Sequence, residues 1–196
     1  MSHNKKSETK KASTQKSHNK IKNPKKSSLP LKYADIFELI NDSSCFDLQF
    51  RIDVKRKRKN QPAYYHWKTR FLINTEPEKL ELLKKLKKVI GCGKIYSSGL
   101  QSQYSVQDID ELKNILIQFI KKYSPLSSNK QRDFKLWEKA VNILYKNKGK
   151  RLLAWKKSDF KELIDIQKKI QKYKERGKAK APKWQKTANA ILKSLS

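Results

Sequence analysis

Phe46, Leu48, Phe50, Ile52 and Val54 alternate with Asp47, Gln49, Arg51 and Asp53. A period of two sends successive side chains to opposite sides of an extended chain, so Cys45 to Val54 predicts a strand with one packed and one wet face. A helix cannot satisfy that pattern, because its period of 3.6 would smear the apolar residues around the axis. Lys55-Arg-Lys-Arg-Lys-Asn-Gln-Pro62 breaks the alternation and reads as a hairpin connection. Ala63 to Ile73 resumes strand-like composition with Tyr64, Tyr65, Trp67, Thr69, Phe71 and Ile73.

The next segments extend the pattern. Thr75 reads as a helix cap, with Glu76 and Glu78 in the first turn and Pro77 tolerated there. Leu80, Leu82, Leu83, Leu86, Val89 and Ile90 form one apolar face, and Gly91-Cys-Gly93 stops the helix. Lys94 to Tyr96 and Gln103 to Val106 read as a second hairpin around Ser97-Ser-Gly99. Asp108 opens a helix with Leu112, Ile115, Leu116, Phe119 and Ile120 inside, ending before Pro125. Upstream, Tyr33 to Ile40 predicts a short helix that Asn41-Asp-Ser-Ser44 terminates. Two strands, a helix, two strands and a helix thus follow a short leading helix.

Charge narrows the function. The chain of 196 residues carries 48 Lys and Arg against 18 Asp and Glu, a formal net charge of +30. Catalysis on a neutral metabolite needs no such surplus, whereas a phosphate backbone gains affinity from each counterion it releases. Anionic lipid is the rival partner, but the basic residues run the whole length without a long apolar span, so no membrane partner is expected. Cys45 and Cys92 lie far apart, and His3, His18 and His66 share no ligand spacing, so no metal or other cofactor is expected and a reducing compartment is the default. The first thirty residues lack the apolar core of a secretory signal. Heavy use of Lys, Asn and Ile leans toward AT-rich codons and so toward an organellar genome.

Composition also divides the chain. Residues 1–32 form a lysine-rich arm with one acidic residue, unable to bury a core alone. Residues 33–150 are the globular part, 151–175 hold a helix with Phe160, Leu163, Ile164, Ile166 and Ile170 apolar, and 176–196 are a basic tail with a short helix striped by Trp184, Ala188, Ile191, Leu192 and Leu195. A further helix over 131–147 places Phe134, Trp137, Val141 and Leu144 on one side.

Ile36-Phe-Glu-Leu-Ile-Asn-Asp-Ser-Ser-Cys-Phe46 resembles the LAGLIDADG motif with the small residue and aromatic that follow it. The resemblance to the LAGLIDADG homing endonuclease and maturase family extends through the order of elements, the turn Ile90-Gly-Cys-Gly-Lys-Ile95, the strand Gln103-Tyr-Ser-Val106 and the segment from Tyr123 to Trp137. It covers residues 33 to about 175 and implies an α+β fold: an αββαββα domain with a saddle-shaped antiparallel sheet, flanked here by the basic N-terminal arm and a C-terminal helical extension. It also implies that the hairpin after the first strand lies at the rim of a surface covering nucleic acid.

The departures from the family pattern matter as well. The motif's last acidic position, which in the family holds the divalent metal, is Ser43, and its earlier acidic position is Asn41. Mg²⁺ prefers carboxylate oxygen, and Asp42 reaches the site only if the register slips by one. Glu38 replaces the glycine that lets two such helices touch, and burying it is costly, so a homodimer is not expected. These residues lead to the expectation of a non-enzymatic protein, with no catalytic residues and no metal site. The candidate phosphate contacts are Lys55, Arg56, Lys57, Arg58 and Lys59 in the hairpin, Gln49, Arg51, Lys68 and Arg70 on the wet strand face, and Lys25, Lys26, Lys150, Arg151, Lys178 and Lys180 in the flanks.

On this reading the partner is structured RNA. Basic extensions at both ends of a small domain suit a structural protein of a mitochondrial ribosome, contacting rRNA and neighbouring ribosomal proteins in the organellar matrix. The alternatives are an active endonuclease cutting double-stranded DNA with Mg²⁺, an intron maturase, and a DNA-binding regulator.

Overall fold

The computed structural model describes residues 33–52, 64–123, 126–174 and 183–195. It opens with α1 (Ala34–Ser43), whose Ile36, Phe37, Leu39 and Ile40 are buried. The helix ends within the expected stretch Asn41 to Ser44: it runs three residues past Ile40 to Ser43, and Ser44 turns extended. The Asn41 side chain holds the last turn in place, donating to the Phe37 carbonyl at 3.1 Å and accepting from the Ser127 amide at 2.8 Å. A residue type that often ends helices here bonds back four residues instead.

β1 (Ser44–Ile52) follows without a connection and pairs antiparallel with β2 (Tyr65–Thr75), Ser44 opposite Ile73 and Ile52 opposite Tyr65. A 3-10 turn at Pro77–Lys79 leads into α2 (Leu80–Ile90). Thr75 does not cap this helix; it ends β2, and its hydroxyl donates to the Ser102 carbonyl at 3.5 Å. β3 (Lys94–Ser98) and β4 (Gln101–Val106) form the second hairpin, and β4 pairs with β2. The sheet order is therefore β1-β2-β4-β3, all neighbours antiparallel.

Asp108 caps the next helix as expected, accepting from the amides of Asp110 and Glu111. That helix comprises α3 (Ile109–Glu111), a π-helical stretch at Leu112–Leu116 and α4 (Ile117–Tyr123). Then come α5 (Ser128–Lys146), a 3-10 turn at Leu152–Ala154, α6 (Lys157–Lys174) and α7 (Lys183–Ser194).

Every helix that buries a face does so against the same side of the sheet. Phe46 is the hub: its ring lies 5.4 Å from Phe71, 5.6 Å from Phe134 and 5.2 Å from Trp137. Around it, one cluster joins α1, α2, α4 and the start of α5 to β1, β2 and β4. A second cluster gathers Leu48, Phe50 and Trp67 with Phe160, Leu163 and Ile166 of α6 and Ala188 of α7. The last helix thus joins the packed face, with Trp184 edge-on to Trp67 at 6.4 Å.

Two polar nodes fix this arrangement. At the turn after α2, Tyr104 donates to the Cys92 carbonyl at 3.0 Å, and the Gly93 amide donates to the Glu111 carboxylate at 3.2 Å. Burial, with the Glu111 charge beside it, pushes the Cys92 thiol up to about 11, so it packs as an apolar group. At the start of α6, Asp159 accepts from Asn147 at 3.0 Å and pairs with Lys146 at 2.9 Å, tying α5 to α6. Those hydrogen bonds, Asn147 first, hold its carboxyl below the usual range.

Gly93 has φ 82°, and a Cβ there would stand 2.9 Å from the Tyr104 ring and from Val106. Gly93→Ala is expected to lower stability by about 2–4 kcal/mol, from left-handed backbone strain plus overpacking. Gly91→Ala, with φ 87° and open space, should cost about 1–2 kcal/mol from the backbone alone; denaturant melts of both variants check the difference. Asp159 contributes stability above its unfolded pKa of about 3.9, lost as pH falls through its lower folded value. The gap in melting temperature between the native chain and Asp159→Asn should therefore shrink as acid is added, a trend thermal scans between about pH 6 and pH 2.5 would record.

Candidate nucleic-acid interface

With the helices on one side, the other face of the sheet carries the polar half of each strand. Register places Asp47 opposite Arg70, Gln49 opposite Lys68 and Arg51 opposite His66. Asn74 stands opposite Gln103, and Tyr96 flanks Gln103 from β3. Lys94 sits opposite Ser105, and Ser98 opposite Gln101. The surface is thus a four-strand patch of amides, hydroxyls and cations, with the exposed ring of Tyr96 at its edge.

Several of these groups are pre-positioned. Asp47 accepts from Arg70 Nε at 2.8 Å and from Gln49 Nε2 at 2.7 Å, so one carboxylate orients two donors. Gln103 donates to Asn74 at 2.7 Å, and Gln107 to Ser105 at 2.8 Å. A side-chain amide both donates and accepts, and guanidinium offers a fixed fork, which are the groups that pair with base edges. Arg51 and Lys94 are exposed and available to phosphate.

The four strand residues expected on this face, Gln49, Arg51, Lys68 and Arg70, all lie there. Lys150 and Arg151 are exposed in the connection after α5, away from the centre of the patch. Lys25, Lys26, Lys55, Arg56, Lys57, Arg58, Lys59, Lys178 and Lys180 fall outside the described residues. Asn74, Lys94, Tyr96, Gln101 and Gln103 escaped the sequence reading. Their signal was the alternation along the ends of β2, β3 and β4, but the wet face of a strand becomes a site only when pairing shows its neighbours.

The foot of α1 lies where the motif's acidic residues fall. Asp42 is exposed, Ser43 is half-buried, and Asp35 and Glu38 are exposed on the same helix. Lys130 from α5 reaches under this end and donates to the Ser44 carbonyl, with the Ser44 hydroxyl 3.5 Å away. A cation at a helix C-terminus offsets the negative end of the helix dipole. Sequence reading missed Lys130, because only the fold brings it 86 positions back to the motif. Ser43 also borders a shallow depression with Asn74, Thr75, Glu76 and Gln101. Among the described residues no group of three or more His, Cys, Asp or Glu gathers to hold a metal ion. Asp42 in the last turn of α1 and Glu76 in the depression are exposed carboxylates at this end, which fit isolated hard-oxygen ligands rather than a complete site.

The LAGLIDADG endonuclease family model matches residues 47–141, from β1 into α5. Those residues are a domain of the LAGLIDADG endonuclease family. The match begins after α1, so it does not depend on the altered motif. The chain is 32% identical over 94 residues to a Neurospora crassa protein named Probable intron-encoded endonuclease 3, covering 47% of this chain and 17% of that protein. It is similar to the LAGLIDADG meganuclease I-AabMI, solved bound to uncleaved DNA: TM-score 0.53, 28% identity, 67% of this chain and 41% of that one. The homing endonuclease I-TnaI shares the fold at TM-score 0.61 and 17% identity, over 83% of this chain and 99% of that one. The chain thus spans under a fifth of its Neurospora relative and less than half of I-AabMI.

These relatives correct the expectation that the chain is not an enzyme. It rested on Ser43, yet the matching family and the named relatives are endonucleases. Physically, Ser43 is not decisive, because Asp42 presents an exposed carboxylate in the same last turn.

Proposed function

We propose that this protein grips double-stranded DNA with the polar face of its sheet and nicks it at the foot of α1. The observation that carries the reading is the patch of Gln49, Arg70, Asn74 and Gln103 across β1, β2 and β4, oriented by its own hydrogen bonds, with Lys68 opposite Gln49. DNA is favoured because I-AabMI, the solved relative at 28% identity, is described as bound to it.

In this reading Arg51, Lys94 and the run Lys55 to Lys59 contact phosphates, while the amides and Arg70 address base edges. Asp42 would hold Mg²⁺, which supplies charge neutralisation at the phosphate and lowers the pKa of water. Lys130 fixes the Ser44 backbone and keeps positive charge beside the scissile position. The exposed face of α1 carries Asp35, Glu38 and Asp42, so two copies meeting there would oppose three carboxylates with three. One chain then acts on one strand, and the product is a nick rather than a double-strand break.

A second reading is favoured by the net charge of +30 and the lysine-rich arm: structured RNA as the partner, with a place on an organellar ribosome. Sedimentation of a native lysate with and without RNase separates the two, since ribosomal association gives salt-resistant co-migration that RNase abolishes.

The deciding assay is a supercoiled plasmid library with randomised inserts, incubated with the full chain and Mg²⁺. The reading predicts nicked circles at a recurring sequence, lost in Asp42→Asn while binding persists. Binding without nicking at any Mg²⁺ concentration would contradict it and return the RNA reading to the front.

A further inference from the structure

β4 pairs with only the second half of β2. The register runs from Thr75 opposite Ser102 to Phe71 opposite Val106 and stops there. Residues 65–70 are bonded to β1 on one side, and no described strand pairs with their other edge. The end of α5 and the connection after it wall off this notch, leaving a groove of about 270 Å³.

The lining is unusual for a gap in a small domain. Tyr65 and Trp155 present aromatic surface, with the buried Trp67 behind them, while Lys68 and Lys150 stand at the rim. Lys148, also lining it, is held by Asp110, so its charge is balanced locally. Trp155 is steadied by a hydrogen bond from its Nε1 to the Lys150 carbonyl at 3.4 Å. The Trp67 Nε1 is buried without a partner among the described residues. Lys68 belongs to the wet face of the sheet, so the groove opens from the border of the proposed DNA surface.

Aromatic planes, two cations and the polar edge of a strand in one recess suit a particular class of ligand. A nucleobase has a π-face for stacking, polar edges for main-chain N–H and C=O groups, and an attached phosphate for lysine. An apolar ligand would waste the lysines and the strand edge, and a free phosphate would waste the aromatic walls. We propose that this groove seats one unpaired nucleobase, extruded from the nucleic acid held by the sheet. The base stacks on Trp155 and Tyr65, and Lys150 and Lys68 meet its flanking phosphates. The proposal rests on the nucleic-acid reading given above and adds preference for an extrahelical or single-stranded nucleotide.

Anisotropy titrations of the full chain against two labelled duplexes test it, one fully paired and one of the same sequence with a single bulged adenine. The native chain should bind the bulged duplex more tightly. Trp155→Ala should weaken the bulged duplex by about tenfold and the paired one by less than about twofold, while Trp155→Phe retains most of the preference. Lys150→Gln, an exposed change that spares the packing, should lower the salt slope for the bulged duplex by about one and leave that for the paired duplex unchanged. Equal affinity of the native chain for both duplexes, or equal weakening of both by Trp155→Ala with Lys150→Gln silent, would overturn the proposal and leave the sheet surface standing. Failure of the native chain to bind either duplex would overturn both.

Discussion

The one-sided burial of the sheet governs this molecule. Phe46, Phe71, Tyr104 and Trp137 fill the space between strands and helices, and all are buried. Because side chains alternate, placing Phe46, Leu48 and Phe50 in that core forces Asp47, Gln49 and Arg51 to the opposite side. A one-residue slip of β1 would bury a carboxylate and a guanidinium and expose three large apolar groups. The hydrophobic core therefore aims the polar surface: the register that stabilises the fold is the register that assembles the candidate interface.

The C-terminal helices reinforce that division rather than building a separate unit. α6 and α7 cover the half of β1 and β2 that α1, α2 and α4 leave open, through Phe50, Trp67 and Phe160. Among the described residues no helix covers the polar face. The same economy leaves the notch beside β2, since β4 is too short to follow its partner to the end.

Much of this was legible in the sequence because it depends on local pattern. The alternation of β1, the apolar stripe of α2 and the Asp108 cap follow from periods and side-chain chemistry that operate over a few residues. The αββαββα order and the altered motif at Asn41 to Ser43 also come from contiguous stretches. What escaped needs contacts distant in sequence. Asn41 reads only as part of the stretch that ends α1, and its bond to the Ser127 amide appears only in the fold. Lys130 looks like one lysine among many until α5 carries it beneath Ser44. Asn74 and Gln103 gain meaning only as cross-strand neighbours. The expectation of no enzymatic role failed for a different reason: it leaned on the altered residues of one short motif, whereas the match to endonucleases is carried by residues 47–141, beyond that motif.

The central claim is that the polar face of the sheet, rather than the basic flanks alone, holds the nucleic acid. Photo-crosslinking of the full chain to duplex DNA, with the attached peptides mapped by mass spectrometry, tests it most directly. The account predicts adducts on the polar positions of the four strands, at Gln49 and Arg51, Lys68 to Asn74, Lys94 to Ser98 and Gln101 to Ser105. Adducts confined to the lysine-rich segments before residue 33 and after residue 174, with the strands unmarked, would contradict it.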